Sequence, residues 1–303
     1  MNYKEYIQSK NNIKLKKFIE TLSLSNKTAD FFVNWKKVIK NTNQFELELN
    51  TLNYLVGKQN ILEETRNLFN KQPELIRAVP SLIASREKEI IMLDLNKFNM
   101  EYRKLNFNNI DKEKIDLYVD FCYKIGLLEF ISNGTKKSLV DYVYGVEAGL
   151  DSNARKNRSG ITMETIVEKY IINLIDTEKL KLEYITQATP KMIKKQWGIT
   201  VPVDRSQRKY DLVIFNKLNQ KLYIIETNYY NGGGSKLKSV CGEFVSLSNL
   251  LANNDKLEFI WITDGQGWKT ANIPMMEAMG KIKNIFNLDM IFEKKYLKEL
   301  VLN

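Results

Sequence analysis

The spacing of apolar residues divides the chain into a mostly helical first part and a mixed second part. Up to about residue 140, apolar positions recur at helical intervals. The clearest case is a predicted helix over Asp111–Ile131, whose apolar stripe consists of Ile115, Tyr118, Val119, Cys122 and Ile125. The short run Lys88–Leu95 is apolar enough to allow a strand. This part therefore predicts helices with little sheet.

Beyond this part, the pattern alternates between helices and strands. The predicted strands are Leu180–Ile185, the two strands of a hairpin within residues 210–228, and Phe259–Ile262. The predicted helices between them include Pro190–Trp197 and Lys236–Leu251. This order is typical of an α/β domain. We expect a mostly helical region at residues 1–135, followed at residues 136–303 by a central mixed β-sheet flanked by helices.

The hairpin places two acidic residues at one end of the predicted sheet. Asp211 begins the first strand and Glu226 lies near the end of the second, so antiparallel pairing brings the two carboxylates together. Asn228 shares the face of Glu226 because side chains alternate along a strand. Acids at a strand end often serve only to solvate a sheet edge. Glu226, however, ends an apolar strand, where a charge needs a partner. We therefore predict an Mg²⁺ site at Asp211 and Glu226.

The absence of one residue type narrows the chemistry. The 303 residues include no histidine, which excludes Ser-His-Asp and Cys-His triads, His-ligated zinc and a histidine base. A hydrolase of this composition relies on carboxylates, lysines and metal ions. The two cysteines, Cys122 and Cys241, lie far apart within helical patterns. We expect both to be reduced and buried rather than zinc ligands.

The charge balance bears on the partner and on the location. A formal net charge of +10 favours a polyanion such as nucleic acid. The Lys-, Asn- and Ile-rich composition of an AT-rich genome would produce a similar excess. No apolar run reaches the length of a membrane span, and no apolar signal-peptide core follows Met1. We expect a cytoplasmic protein without membrane contact.

A third acid and a polar stretch precede the hairpin. The stretch Asp151–Gly160 has no apolar periodicity, and we predict a loop there. Glu164 then lies in the first turn of the following helix, from which it is able to reach the metal site. Glu168 shares its face and fits an ordinary solvated surface. Glu164 is therefore a candidate catalytic residue.

Two basic segments are candidates for contacts with a polyanion. Arg can bind guanine and Asn can bind adenine in the major groove, and both can bind phosphate. The first segment, in the predicted loop, is Arg155, Lys156, Asn157 and Arg158. The second, Lys236 and Lys238, begins a helix after a glycine-rich turn, where backbone amides favour phosphate. Each segment also fits an exposed loop without a ligand.

Four blocks of sequence carry a resemblance to a known family. The strongest are Gly145–Gly160, Asp211–Ser239 with Glu226-Thr-Asn-Tyr-Tyr and Gly-Gly-Gly-Ser-Lys-Leu, and Trp261–Trp268; Val79–Arg86 is weaker. Together they resemble restriction endonucleases of the DpnII/MboI type, which are PD-(D/E)XK-like nucleases. The resemblance implies a type II restriction endonuclease with that nuclease core, which cleaves double-stranded DNA at GATC, before the G, when the adenine is unmethylated. It also implies Mg²⁺ as cofactor and an adenine methyltransferase in the same restriction-modification system.

The resemblance also implies roles for particular residues. Asp211 and Glu226 match the acidic positions of the nuclease motif and would hold the metal whose bound water attacks the phosphate in line. Glu164 would hold or orient a metal ligand. Asn228 falls where the superfamily usually has lysine, and an amide can orient water but cannot carry an ammonium's charge.

Several alternatives remain open at this point. The missing cation is supplied by Lys209, Lys236 or Lys238, or a second metal ion takes its place. A palindromic target is most simply bound by a two-fold homodimer. The competing interpretations are a DNA-binding protein without catalysis and a repair or mismatch nicking nuclease built on the same core.

Overall fold

A computed structural model describes residues 1–95, 100–135, 137–178, 181–204 and 207–302. Internal contacts divide the chain into two compact units. The sheet unit consists of residues 1–31 and 156–303, and the helical unit consists of residues 32–155. The chain passes between the two units after residue 31 and after residue 155, whereas the sequence predicted one boundary at residue 135. Residues 1–31, which the sequence grouped with the N-terminal helices, belong to the sheet unit.

The secondary structure is predominantly helical, with strands in both units. The α-helices are α1 Tyr3–Gln8, α2 Asn11–Glu20, α3 Trp35–Asn43, α4 Glu46–Leu52, α5 Ile61–Lys71, α6 Val79–Leu82, α7 Ile115–Lys124, α8 Leu127–Glu129, α9 Leu139–Ser152, α10 Arg155–Glu178, α11 Pro190–Trp197, α12 Ser235–Leu251, α13 Asn272–Met279, α14 Leu288–Phe292 and α15 Tyr296–Leu302. The strands are β1 Glu89–Leu95, β2 Met100–Asn106, β3 Leu182–Ala188, β4 Tyr210–Asn216, β5 Lys221–Tyr229, β6 Leu257–Asp264 and β7 Asn284–Phe286.

The sheet unit is built on a mixed sheet in the order β3-β4-β5-β6-β7. Strands β3, β4 and β5 pair antiparallel, and β5, β6 and β7 pair parallel. The central strands are continuous apolar runs because helices cover both of their faces, so that most of β4, β5 and β6 is buried. The predicted α/β class, with a mixed sheet flanked by helices and a mostly helical N-terminal region, is confirmed.

The first helix is fixed to the far edge of this sheet. A capping box, formed by Asn2 and Glu5, begins α1. The next two aromatic residues are buried: the Tyr3 hydroxyl donates to Asn284 Oδ1 at 3.0 Å, and the Tyr6 hydroxyl donates to the Ile285 carbonyl at 2.9 Å. Since these partners lie on β7, nearly the whole chain separates the two sides of the contact. Local periodicity therefore carries no sign of it.

The helical unit has its own core, and it also contains the hairpin β1–β2. The predicted short strand at Lys88–Leu95 is β1. The predicted long helix over Asp111–Ile131 is wrong in its continuity. It consists of α7, α8 and short 3₁₀ and π turns. Gly126, at φ 76°, separates the two α-helices, because a left-handed residue cannot continue an α-helix.

The predicted loop at Asp151–Gly160 is also wrong. Helix α9 continues through Ser152, and α10 begins at Arg155 after a short turn. The buried positions in this stretch are polar: Asp151 accepts from the Asn34 backbone N–H at 2.9 Å, and Ser159 exchanges hydrogen bonds with Asn26 at 2.8 and 2.9 Å. Because the buried face is polar, hydrophobic periodicity does not reveal these turns of helix.

Two expectations from composition can be compared with the structure. Cys122 and Cys241 are free and buried, as predicted, and burial raises the pKa of both thiols to about 12. In the part of the chain that the structure describes, none of the helices combines the length and the apolar character needed to cross a bilayer.

Candidate active site

The register of the β4–β5 hairpin brings the two predicted acids together. Leu212 pairs with Ile225 and Val213 with Ile224, so one further step of the same ladder places Asp211 opposite Glu226. Directly opposite residues of an antiparallel pair present their side chains on the same face. Both acids therefore lie at the end of the hairpin away from its turn.

Asp211 is partly fixed by the neighbouring strand. Its Oδ2 accepts from the backbone N–H of Thr227 at 2.8 Å and from the Thr227 hydroxyl at 3.1 Å. Burial nevertheless raises the pKa of Asp211, and the two Thr227 hydrogen bonds oppose this shift. Both hydrogen bonds described for this carboxylate fall on Oδ2, which leaves Oδ1 for another partner.

Glu226 is in contact with a cation that the sequence did not single out. The guanidinium of Arg208, whose side chain is 1% exposed, donates through Nη2 to Glu226 Oε1. Its Nη1 donates to Asp204 and Glu243 at 3.2 Å each. Burial raises the pKa of Glu226 to about 8, and the charge of Asp211 acts in the same direction while Arg208 opposes both. In the described contacts, Oε2 of Glu226 is left for another partner.

Arg208 was overlooked for a simple reason. It lies three residues before Asp211, in a polar segment where the exposed Lys209 was the more obvious cation. No periodicity marks a charged residue as buried. The available signal was its position close to Asp211 in the sequence. Buried acids require a positively charged or hydrogen-bonding partner, and a nearby arginine can provide one.

Asn228 lies on the same strand as Glu226 and has a fixed orientation. The indole N–H of Trp261 donates to its Oδ1 at 2.6 Å. An indole nitrogen only donates, so the amide must present its oxygen to Trp261 and its NH₂ group elsewhere. Trp261 is fully buried, and it packs edge-on against Phe244 and Trp268 at 5.1 and 5.5 Å between ring centroids. The asparagine at the expected lysine position is thus an oriented hydrogen-bond donor.

Glu164, the third predicted acid, lies on helix α10. Because α10 begins at Arg155, Glu164 lies in its third turn and not in the first. Gln187 Nε2 donates to Glu164 Oε2 at 2.8 Å. Burial raises the pKa of Glu164, and the charge of Asp211 raises it further. This influence of the Asp211 charge fits the predicted place of Glu164 near the acid pair.

The donors in this site suit a small hard cation. Among the described residues, no group of three or more Cys, Asp and Glu side chains is gathered closely enough to hold a metal. Mg²⁺ does not need such a group, because it binds through one or two carboxylates and takes its other ligands from water and phosphate. Asp211 and Glu226 each offer one carboxylate oxygen, and their mutual repulsion favours a cation between them.

The first predicted basic segment forms the beginning of α10. Lys156 and Asn157 are exposed, and Arg155 is half-buried. Arg158 is also half-buried, and its Nε donates to the Phe31 carbonyl at 3.1 Å. Arg158 therefore has at least one structural role. Arg155 falls in the helical unit, whereas the other three belong to the sheet unit.

The second predicted segment begins α12. Lys236 and Lys238 are both exposed in the first turn, after the glycine-rich connection that follows β5. The N-cap residue, Gly234, provides no side-chain cap for the first amides of this helix. Since α12 follows the strand that carries Glu226, its N-terminus lies just beyond the acidic end of that strand.

The loop after β6 closes against this connection. The Gly267 N–H donates to the Tyr230 carbonyl at 2.9 Å. A Cβ atom at Gly265 or Gly267 would collide with the backbone of Tyr230 or Gly232. Asp264 is structural, because its carboxylate accepts from the backbone N–H groups of Ser23, Gly265 and Leu288 at 2.8, 2.6 and 2.9 Å. These contacts give the loop a packing role.

Comparison with known proteins identifies relatives along almost the whole chain. A family model described as DpnII restriction endonuclease matches residues 14–299. The type II restriction enzyme LlaDCHI of Lactococcus lactis subsp. cremoris is 50% identical over 295 residues, which are 97% of this chain and 96% of that enzyme. MjaIII of Methanocaldococcus jannaschii is 46% identical over 287 residues, with 93% and 97% covered. MboI of Moraxella bovis is 36% identical over 271 residues, with 89% and 91% covered.

These similarities identify the class of protein. It is a type II restriction enzyme, a site-specific deoxyribonuclease, and its substrate is DNA. Within this class, the chain belongs to the DpnII restriction endonuclease family. The resemblance noted in the sequence is thereby confirmed.

Proposed function

We propose that this enzyme cleaves double-stranded DNA at GATC, before the G, when the adenine is unmethylated, by Mg²⁺-dependent hydrolysis of a phosphodiester. The observation that carries the hydrolytic part of the proposal is the position of Asp211 opposite Glu226, each with a carboxylate oxygen left for a cation. The GATC target comes from the resemblance to the DpnII/MboI type. Membership of the restriction endonuclease family supports DNA as the substrate. Type II restriction enzymes generally use divalent metal ions.

Asp211 and Glu226 are the proposed metal ligands. When bound, Mg²⁺ supplies charge stabilisation at the phosphate and a water of lowered pKa. Thr227 fixes Asp211 through one carboxylate oxygen, and Arg208 fixes Glu226 in the same way. Arg208 is too deeply buried to reach DNA, so its proposed role is to hold Glu226 in place.

The other proposed catalytic groups surround this pair. The Asn228 amide is oriented by Trp261, and we assign it the role of donor to the attacking water or to a phosphate oxygen. Glu164 is assigned the orientation of a metal ligand, since it senses the charge of Asp211. An amide leaves the lysine's positive charge unreplaced, and the exposed Lys209, Lys236 and Lys238 remain the candidate sources.

The proposed DNA contacts come from two helix beginnings. The first turns of α10 carry Lys156 and Asn157 in exposed positions, with Arg155 and Arg158 beside them. Cations at the positive end of a helix dipole are unfavourable by themselves, and a nearby phosphate removes this cost. Lys236 and Lys238 present the same combination at α12.

The proposed partners follow from the target. A palindromic site is read symmetrically by a homodimer, in which each subunit cleaves one strand. A cognate adenine methyltransferase in the same restriction-modification system would protect the host DNA. No direct contact with that enzyme is implied.

Digestion of methylated and unmethylated DNA tests the proposal. Plasmid prepared with and without adenine methylation at GATC is incubated with Mg²⁺, and the fragment ends are sequenced. We expect cleavage only of the unmethylated plasmid, with every end beginning at GATC. Asp211→Asn, which keeps the size of the side chain, should bind the same DNA in Ca²⁺ without cutting it. Ends at another sequence, single-strand nicks alone or full activity of Asp211→Asn would contradict the proposal.

A further inference from the structure

Gln187 has a backbone conformation that its position in a strand does not explain. Its φ is 49°, in the left-handed region that favours glycine. Its neighbours pair normally with β4, since Thr186 lies opposite Leu212 and Ala188 opposite Tyr210. Gln187 therefore lies across from Asp211, at the one step of this ladder where regular pairing is interrupted. A glutamine is an unfavourable choice for such a position unless its side chain has a role.

The side chain of Gln187 makes a specific contact at this place. Its Nε2 donates to Glu164 Oε2 at 2.8 Å. A carboxylate only accepts, so the amide must present its nitrogen to Glu164. Gln187 is exposed, so burial of apolar surface does not offset the backbone strain. Water would satisfy both groups at an exposed site, which means that the contact sets a position and is not needed to satisfy either group.

We propose that Gln187 is a positioning residue, whose strained backbone directs its amide at Glu164 and holds that carboxylate beside Asp211. The inference rests on the proposed function of Asp211 and Glu164. A glutamate side chain has several rotatable bonds, and the half-buried Glu164 can adopt more than one rotamer unless a contact selects one. The hydrogen bond from the Gln187 amide selects one rotamer of Glu164 and so preorganises the site for a metal and its water. Strain of this kind is retained where geometry matters more than stability.

Replacement by glycine separates activity from stability. Gln187→Gly relieves the left-handed strain and removes the amide. We expect the melting temperature to rise by about 2 °C. We expect kcat to fall by about 10- to 100-fold, while KM for DNA stays within about twofold. A residue with a purely structural role would not raise the melting temperature and lower kcat in the same variant.

Gln220 provides a matched control in the same sheet unit. It is also an exposed glutamine in the left-handed region, with φ 57°, and it lies in the turn between β4 and β5, at the end away from the acids. Its Nε2 donates to the Lys217 carbonyl at 2.8 Å. Gln220→Gly should raise the melting temperature by a similar amount and leave kcat unchanged. Equal losses of activity in both variants would overturn the proposal.

Two further variants define the contact. Gln187→Glu keeps the length and the strain but replaces the donor with a carboxylate that repels Glu164, so kcat should fall at least as far as in the glycine variant. In a Glu164→Ala background, measured with excess enzyme in a single turnover, Gln187→Gly should add less than about a twofold loss. A full additional loss would show that Gln187 does not act through Glu164.

The outcome also distinguishes this inference from the proposed function. Asp211→Asn is assayed beside the Gln187 variants. If Asp211→Asn is inactive and Gln187→Gly retains wild-type kcat, only the positioning role fails. If Asp211→Asn is fully active, the proposed site itself fails. A rise in KM with unchanged kcat in Gln187→Gly would make the residue a DNA contact, and it would overturn the positioning role.

Discussion

Asn228 shows how a single residue changes the chemistry of a familiar arrangement. An amide cannot replace the charge of the expected lysine, but it can direct a hydrogen bond if its orientation is fixed. Trp261 provides that orientation through its indole N–H. Arg208, the cation that contacts Glu226, is buried and bound to three carboxylates. The residues around Glu226 therefore divide into oriented donors and a buried counter-ion.

Removal of the indole N–H tests the orientation of Asn228. Trp261→Phe keeps an aromatic ring in the core but loses the hydrogen bond at 2.6 Å. We expect kcat to fall by about 10-fold, because the amide is free to rotate, with little change in KM. Trp268→Phe is the matched control: this buried tryptophan donates to Thr263 Oγ1 at 2.8 Å and not to Asn228. Both variants should lose similar stability, and an equal loss of kcat would argue against the role of Trp261.

Replacement of Arg208 tests the buried ion pair. Arg208→Met leaves Glu226 buried without its cation, and we expect the free energy of unfolding to fall by about 3 kcal/mol. Lys209→Met changes the exposed neighbour and should cost less than about 0.5 kcal/mol. Urea denaturation followed by circular dichroism measures both. A loss for Arg208→Met as small as that for Lys209→Met would contradict the structural role of the pair.

The same comparison has a defined dependence on pH. The folded-state pKa of Glu226, about 8, lies above the ordinary value of 4.5, so its contribution to stability is present below 4.5 and is lost as the pH rises to about 8. Without Arg208 this pKa rises further, and the loss continues to higher pH. The stability difference between wild type and Arg208→Met should therefore widen above pH 8. A difference that narrows there would contradict the assigned cause.

At the scale of elements, helix α10 carries residues from two of the proposed sets, the catalytic residues and the DNA contacts. Its interior packs on the sheet through an apolar stripe and carries Glu164, while its first turns present basic residues. The sequence predicted a loop for these residues, and a loop does not fix the orientation of their side chains as a helix does. As part of a helix N-terminus, Lys156 and Asn157 are exposed in the first turn, beside backbone amides that have no partner within the helix.

Salt dependence tests the start of α10. Lys156→Ala should weaken binding to cognate and unrelated DNA to the same degree. It should also reduce the slope of log K against log salt by about 0.9, as expected for one phosphate contact. Lys169→Ala alters another exposed lysine, further along the same helix, and should change neither quantity. Binding is measured in Ca²⁺ to prevent cleavage. A loss confined to the cognate sequence would instead assign Lys156 to base recognition.

At the scale of the whole molecule, the proposed target has a symmetry that one chain lacks. A single site with one acid pair hydrolyses one strand, so clean double-strand breaks at a palindrome require two sites. We expect two copies of the 35.4 kDa chain on each GATC duplex in Ca²⁺, measured by light scattering after gel filtration. An enzyme that binds as one chain, and that accumulates a nicked intermediate, would contradict the two-fold arrangement.

The local pattern of apolar and polar residues determined the buried strands and the placement of the acid pair. Continuous apolar runs predicted the buried strands, and alternation along β5 placed Glu226 and Asn228 on one face. The antiparallel hairpin then brought Asp211 to Glu226, because the two strands are adjacent in sequence. The absence of histidine left metal-assisted hydrolysis as the main route. These properties depend on neighbouring residues, so they can be read along the chain.

Only the tertiary structure decided how the acids are held. Trp261 orients Asn228 from the parallel strand β6, and Gln187 reaches Glu164 from β3, at the edge of the sheet. Arg208 looks like any surface cation until its burial against Glu226 is seen. Each contact joins separate elements, and the residues involved are polar. Periodicity reports which face is apolar, whereas long-range polar contacts depend on packing that no local pattern encodes.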